Sequence, residues 1–205
     1  PAHDTAFPSA PGAVSTSRTV TVVLSSPLDR LVAARLVQAT DEGYSLLTPA
    51  AKSWEEERNK QKVYLGDVKR IEREVVAVIA EGLPGYELEG LREFKPCVVL
   101  DGSAVSKGDV EIRLFLVDEA QFDSERESKR QLSRQTANEN LIFWVAALTR
   151  EIEDLEREIV LSEKMIQDRD RPHVKGEEAA LLNAEKTKRD RNRSRLETAL
   201  RAALL

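Results

Sequence analysis

One stretch of the chain, residues 94–119, carries the clearest β-strand pattern in a sequence otherwise dominated by charged helical patterns. In its second half, every second residue is apolar, which predicts one buried face of a strand: Val110, Ile112, Leu114 and Leu116. Asp101-Gly102 and residues 107–109 lie between the two apolar runs and are typical of turns. The stretch therefore predicts a β-hairpin.

The composition favours helices around this strand pair. Of the 205 residues, 33% are charged and 5% are aromatic, a balance typical of long exposed helices rather than of a sandwich or barrel. The 41% of hydrophobic residues is enough to build a core. We therefore predict a helix-rich α+β fold with a small antiparallel or mixed sheet built on the hairpin.

The sequence also bears on cellular location. No run approaches the roughly eighteen apolar residues of a membrane-spanning helix, and residues 1–17 lack the basic and hydrophobic regions of a signal peptide. Cys97 is the one cysteine, which excludes an internal disulfide and any multi-cysteine zinc site. These features predict a cytoplasmic protein without membrane contact. Since the sequence does not begin with methionine, we expect a piece of a longer protein.

The N-terminal part predicts a flexible tail at 1–17, rich in Pro, Ser, Ala and Gly, and a winged-helix-like subdomain at 18–65. The predicted elements are a strand at 18–24, a helix from Ser25 or Ser26 to about Thr40, a strand at 44–47 and a helix opened by Thr48-Pro49. The helix that ends near Thr40 has too few basic residues to predict contacts with DNA bases.

Residues 66–148 predict an α+β body that contains the hairpin. Its first helix, at 66–81, has apolar residues at helical spacing: Val68, Ile71, Val75, Val78 and Ile79. Residues 124–140 contain one large apolar residue, Leu132, and therefore predict a solvated helix or a mobile loop.

Residues 141–169 admit two interpretations. One interpretation is a continuous coiled-coil helix, because apolar residues fall on a heptad repeat that is interrupted only by Ser162: Leu141, Val145, Leu148, Ile152, Leu155, Ile159 and Ile166. Residues 141–147, however, are apolar on every side and rich in β-branched and aromatic residues, which suits a buried strand added to the hairpin sheet. We favour a strand followed by a helix.

Two helices joined by a short loop at Pro172 and Gly176 predict a helical hairpin at 149–205 that projects from the body. An apolar seam is expected to pack against another helix of the same chain or of a partner: Leu148, Ile152, Leu155 and Ile159. The second helix carries a basic cluster that is either a solvated face or a contact to a nucleic-acid backbone: Lys186, Lys188, Arg189, Arg191, Arg193 and Arg195.

One motif resembles catalytic chemistry. Residues 114–119, LFLVDE, match the apolar strand ending in Asp-Glu that aligns magnesium in P-loop ATPases. The phosphate-binding pattern G-x-x-x-x-G-K-[ST] occurs nowhere in the sequence, so we interpret the motif as a strand that ends in solvated acids. The sequence predicts no catalytic, cofactor-binding or metal-ligating residue and no enzyme activity.

A short strand followed by a helix rich in Glu and Arg is marked by Tyr44, Leu46, Leu47, Thr48 and residues 54–58. With the elements that follow, this order resembles an internal region of the large P-loop proteins of BREX-type phage-defence systems, the BrxC/PglY family. The resemblance covers roughly residues 20–200. Because the family's phosphate-binding loop is missing here, its ATPase residues carry over to no position of this chain.

The resemblance implies a non-catalytic scaffolding region of a very large AAA+-like ATPase. Its partners would be other regions of the same protein or other subunits of the defence system. The alternative hypothesis is a DNA-binding accessory module that uses the basic cluster of residues 186–195.

Overall fold

Two units make up the chain, Pro1–Leu47 and Thr48–Leu205. The structure, a computed structural model, describes residues 37–40, 43–46, 48–90, 92–171 and 174–204, together with Pro27, Arg30 and Leu31.

In the first unit, β1 (Val37–Thr40) pairs antiparallel with β2 (Gly43–Leu46). The predicted strand at 44–47 is thereby confirmed within one residue. The predicted helix is wrong over Val37–Thr40, because antiparallel pairing with β2 gives these residues strand hydrogen bonds in place of helical ones. The predicted tail and the strand at 18–24 lie outside the described residues, and the winged-helix-like subdomain stays a prediction.

The second unit holds five helices and six strands among its described residues. The helices are α1 (Pro49–Lys60), α2 (Leu65–Glu81), α3 (Phe122–Ser133), α4 (Arg150–Arg169) and α5 (Glu177–Leu204). The strands are β3 (Tyr86–Leu88), β4 (Arg92–Phe94), β5 (Pro96–Leu100), β6 (Ser103–Ala104), β7 (Val110–Asp118) and β8 (Ile142–Leu148). The helix-rich α+β class is confirmed, and the strand predicted at 141–147 is confirmed within one residue. The predicted boundaries at 65 and 148 fall inside this unit.

Local side chains begin two of these helices where the sequence places them. The Thr48 hydroxyl accepts a hydrogen bond from the Ala51 N–H at 3.1 Å at the start of α1. The Thr149 hydroxyl accepts one from the Ile152 N–H at 3.4 Å at the start of α4. Each bond satisfies a donor that the first helical turn leaves without a partner.

The main sheet has the strand order β6-β5-β7-β8 and is mixed. The predicted hairpin at 94–119 is wrong in its pairing, because β5 and β7 run parallel. Asp101-Gly102 does make a hairpin turn, but it joins β5 to the short β6. Residues 105–109 then pass the start of β5, and the N–H groups of Asp109 and Val110 donate to the Lys95 carbonyl at 2.7 and 3.1 Å.

The main core lies between one face of this sheet and helices α2, α4 and α5. Its fully buried side chains come from all of these layers: Ile71, Leu100, Ile152, Ile159, Leu196 and Leu200. The helical hairpin of α4 and α5 is confirmed, but it covers the sheet instead of projecting from it, because both helices contribute apolar side chains to this core. On the opposite face of the sheet, Lys129 of α3 lies over the Phe115 ring at 4.3 Å.

A second, smaller core attaches α1 to the helical hairpin. Trp54 packs against Met165, Ile166 and Leu182. A buried ion pair joins Arg58 Nε to Glu185 Oε1 at 3.1 Å, and the Trp54 indole N–H donates to Glu185 Oε2 at 3.2 Å. Across the described ranges, no helix is both long and apolar enough to cross a membrane.

Gly108 is expected to be intolerant of any side chain. A Cβ atom there would lie 2.4 Å from the Lys95 carbonyl oxygen and 2.4 Å from the Pro96 carbonyl carbon. Because both of these are backbone atoms, the clash is relieved only if the backbone shifts. Gly108→Ala should therefore lower the free energy of unfolding by about 2 kcal/mol, as measured by chemical denaturation. Gly66→Ala is the control, because its Cβ would meet nothing within 4 Å in α2 and should raise stability slightly. Unchanged stability of Gly108→Ala would contradict this account.

Candidate functional site

An apolar groove lies where the three parallel strands begin. Its floor is the start of β5, β7 and β8, and its wall is the β3–β4 hairpin with the turn that precedes it. The lining residues are Leu83, Pro84, Tyr86, Leu88, Phe94, Pro96, Val110, Ile112, Ile142 and Trp144. The groove has a volume of about 620 Å³, comparable with a small-molecule pocket, yet every lining side chain is apolar or aromatic.

The groove continues the sheet face that builds the main core. Ile112 and Leu114 lie on the same face of β7, because side chains two residues apart point the same way. Leu114 is covered by the helical layer, whereas Ile112 lies in the groove. Helix α2 ends at Glu81, and the β3–β4 hairpin covers this end of the sheet only in part. Tyr86 is 67% exposed, Leu88 46% and Ile142 48%.

The β3–β4 hairpin has an apolar face and an acidic face. Tyr86 pairs with Phe94, while Glu87 pairs directly with Glu93 on the opposite face. Like charges across a strand pair oppose pairing, and a two-stranded hairpin is marginal without further contacts. Within the described part of the chain, neither carboxylate has a cation at ion-pair distance; Arg92 instead pairs with Asp109 at 2.8 Å.

A buried acidic pair lies at the other end of the sheet. Glu72 of α2 is 1% exposed and Glu156 of α4 is 2% exposed. Lys69 Nζ contacts Glu72 Oε2 at 2.6 Å, whereas Glu156 Oε1 has no hydrogen-bond partner. Asp101, which follows β5, is near enough to raise the pKa of Glu72 further, after the larger effect of burial.

Burial raises the pKa of Glu156 from 4.5 to about 8, and the charge of Glu72 contributes to the same shift. Glu156 therefore holds a proton in the folded protein near neutral pH. In the part of the chain that the structure describes, no three His, Cys, Asp or Glu side chains are grouped so that they could hold a metal ion. Glu72 and Glu156 therefore affect the stability of the fold through the proton on Glu156, and the described residues around them do not form a metal site.

The basic cluster of residues 186–195 is largely neutralised by the protein's own acids. Five of its six members lie in ion pairs, and Arg191 is engaged as well: Lys186 with Asp170 at 3.0 Å, Lys188 with Glu158 at 2.8 Å, Arg189 with Asp190 at 2.7 Å, Arg193 with Glu74 and with Glu163 at 2.9 Å, and Arg195 with Glu151 at 3.2 Å. The pairs of Lys188, Arg193 and Arg195 join α5 to α2 and α4, so these three cations contribute to helix packing. The Arg189–Asp190 pair lies within α5, and Asp170 directly follows α4.

The predicted seam lies inside the chain. Ile152, Leu155 and Ile159 are buried in the main core beside α2 and α5, and Leu148 ends β8 and packs against the same core. The seam therefore meets helices of the same chain and is closed to a partner. Asp118, the acid of the LFLVDE motif, ends β7 and accepts a hydrogen bond from the Ala120 N–H at 2.8 Å, as a cap of the short turn that follows.

Sequence reasoning missed both ends of the sheet. The alternation Tyr86-Glu87-Leu88 before Glu89-Gly90, with Arg92-Glu93-Phe94 after it, is a hairpin signal that could have indicated the groove wall. No comparable signal exists for Glu72 and Glu156. Each lies in a charged helical stretch, directly beside a core residue, and resembles a solvated position.

Comparison with known proteins assigns no family to this geometry. A scan against protein-family models finds no match, and searches of curated proteins and of solved structures return no significant similarity. Any function of the chain therefore has to be inferred from its own residues and surfaces.

The buried Glu156 predicts a stability that falls as pH rises. The folded state holds this proton more tightly than the unfolded state does, so stability declines from about pH 4.5 to about pH 8. Glu156→Gln should flatten this decline and stabilise the protein by about 2 kcal/mol near neutral pH. The measurement is chemical denaturation across that pH range.

Asp154→Asn, an exposed position on the same helix, is the control and should keep the wild-type pH dependence. An equal slope of stability against pH in Glu156→Gln and in the wild type would show that Glu156 is not the titrating group.

Proposed function

We propose that this chain is a non-catalytic interaction module, the assembly or partner-contact region of a large cytoplasmic phage-defence ATPase of the BREX type that its sequence resembles. The observation that supports an interaction role best is the apolar groove, which is open, is continuous with the core and is bordered by exposed Tyr86, Leu88 and Ile142. Exposed apolar patches rimmed by polar residues are typical of protein interaction sites.

The occupant that we propose is a peptide segment of another region of the parent protein or of another defence subunit, with apolar anchor residues and a neighbouring Lys or Arg. Apolar anchors suit the groove, because its lining has no charged side chain and its only polar side-chain groups are the Tyr86 hydroxyl and the Trp144 indole N–H. A basic residue suits the adjacent Glu87–Glu93 pair, which has like charges directly opposite each other. One cation beside this pair would relieve the repulsion and order the hairpin.

The alternative, a DNA-binding module that uses the basic cluster, has less support. Contact with a phosphate backbone requires cations that can exchange condensed counterions. In this chain, Lys188 and Arg193 already neutralise Glu158, Glu74 and Glu163. A nucleic acid would have to replace those ion pairs.

The absence of ATP chemistry is part of the proposal. The Asp118 carboxylate accepts a hydrogen bond from the backbone of the turn after β7, and among the residues that the structure describes no Gly-rich loop opens a helix to receive phosphates. Titration calorimetry with Mg-ATP should therefore show no binding in the micromolar range. Micromolar binding that is lost in Asp118→Asn would contradict a non-catalytic role.

The groove predicts selective peptide binding. A display library of random peptides of about twelve residues, panned on the full chain, should yield sequences with two apolar anchors near a Lys or Arg. Leu88→Ser should weaken the selected peptides about tenfold or more, because it removes one apolar wall of the groove. Fluorescence anisotropy of a labelled peptide measures this change.

Val78→Ser is the matched control, since Val78 is an exposed apolar residue of α2 outside the groove, at 52% exposure. Joint replacement of Glu87 and Glu93 by Lys should weaken the peptides most at low salt, as expected of a charge contact. Selected peptides that bind Leu88→Ser as tightly as the wild type would overturn the groove as the docking surface.

A further inference from the structure

A small cavity lies under the helical layer, directly behind the apolar groove. Its volume is about 30 Å³, against about 620 Å³ for the groove. The last turns of α2 and α5 cover it, and apolar side chains of β5, β7 and β8 form its base. Arg201 is the one charged residue of its lining, and the Arg201 Nε and Nη2 groups already donate to Glu197 Oε1 at 3.1 and 2.9 Å. The cavity therefore suits an apolar group.

Two half-buried side chains separate this cavity from the groove, because Leu83 and Trp144 line both. Trp144 is held less firmly than the other tryptophan of the chain. The Trp54 indole N–H donates to Glu185 Oε2 at 3.2 Å, whereas the Trp144 indole N–H has no hydrogen-bond partner within the described residues. Since neither full burial nor a hydrogen bond fixes the Trp144 ring, a small shift of this side chain joins the cavity to the groove.

The size of the cavity selects the group that enters it. A volume of this size has room for about two water-sized groups, and a methyl group is of similar size. A leucine side chain ends in a pair of methyl groups, whereas an aromatic side chain brings a whole ring. We infer that the cavity is an anchor pocket for a leucine of the bound peptide, which enters between Leu83 and Trp144. The anchor pocket depends on the proposed binding of a peptide in the groove, and it specifies which residue that peptide must carry.

A filled cavity also contributes to affinity. Side chains that line an empty space lack contacts on one side, so an entering methyl pair gains packing in addition to burial of its own apolar surface. At the buried anchor position, a Leu peptide should therefore bind about tenfold more tightly than an Ala peptide. The Leu peptide should also bind more tightly than a Phe peptide, whose ring is too large for the cavity.

Matched peptides test this preference. In a peptide selected on the full chain, each apolar anchor is replaced in turn by Leu, Ala and Phe, and fluorescence anisotropy gives the affinity of each peptide. Ala80→Val fills the cavity from α2 and should reduce the advantage of Leu over Ala to about twofold. Leu204→Ala enlarges the cavity and should raise the affinity of the Phe peptide relative to the Leu peptide about tenfold.

Leu155→Ala is the matched control. It removes the same side chain from the main core, at 6% exposure against 8% for Leu204, but outside the cavity. It should keep the wild-type ratio of the two affinities. Because each ratio compares two peptides on the same protein, a general loss of stability does not produce the expected change.

Fluorine NMR of the chain labelled with fluorotryptophan gives a separate readout. The Trp144 resonance should differ between the complexes with the Leu and the Ala peptide, and the Trp54 resonance, from the second core, should be the same in both. Equal Trp144 resonances would overturn entry of the anchor beside this side chain.

Two further outcomes overturn the anchor pocket and leave the groove as a docking surface: peptides that show no preference for Leu at either anchor, or an unchanged ratio of Phe to Leu affinity in Leu204→Ala. A chain that selects no peptide at all would overturn the proposed function and the anchor pocket together.

Discussion

The parallel pairing of β7 with β5 decides the arrangement of this protein, and it depends on a tight crossing of the backbone. After β6 the chain passes the start of β5, where Gly108 approaches the Lys95 and Pro96 carbonyls more closely than any side chain would permit. The crossing is held by hydrogen bonds: the Ser106 hydroxyl accepts from the Val98 N–H at 2.8 Å, and the Asp109 N–H donates to Lys95. An ordinary hairpin turn would have reversed β7 and with it the order of everything that follows.

Because β5, β7 and β8 run the same way, their first residues gather at one end of the sheet and their last residues at the other. Helix α2 runs between the two ends, from Glu72 near Asp101 to Glu81, two residues before Leu83 of the groove wall. The starting end is apolar and open, and there we propose a docking surface. The finishing end is polar and closed, and there Glu156 retains its proton because burial makes the charged form costly.

Charge in this chain serves mainly to position helices. Arg58 lies in a buried pair with Glu185 and also contacts Glu158 at 2.9 Å, which fixes α1 against both helices of the C-terminal hairpin. Arg193 connects α5 to α2 and α4 through Glu74 and Glu163. Arg58 and Arg193 thus each use two carboxylates to fix the packing of helices. The groove offers a partner apolar surface and, beside it, the acidic pair Glu87 and Glu93.

The sequence alone determined what a few neighbouring residues can settle. Thr48 and Thr149 begin their helices through local hydrogen bonds, apolar spacing defines α2 and α4, and the β-branched and aromatic composition of residues 141–147 indicated a strand. Tertiary structure decided the rest: the direction of β7, the burial of Glu72 and Glu156, the pairing of the basic cluster and the exposure of the groove. Each of these depends on contacts between residues far apart in the chain, whereas helical period and capping are local.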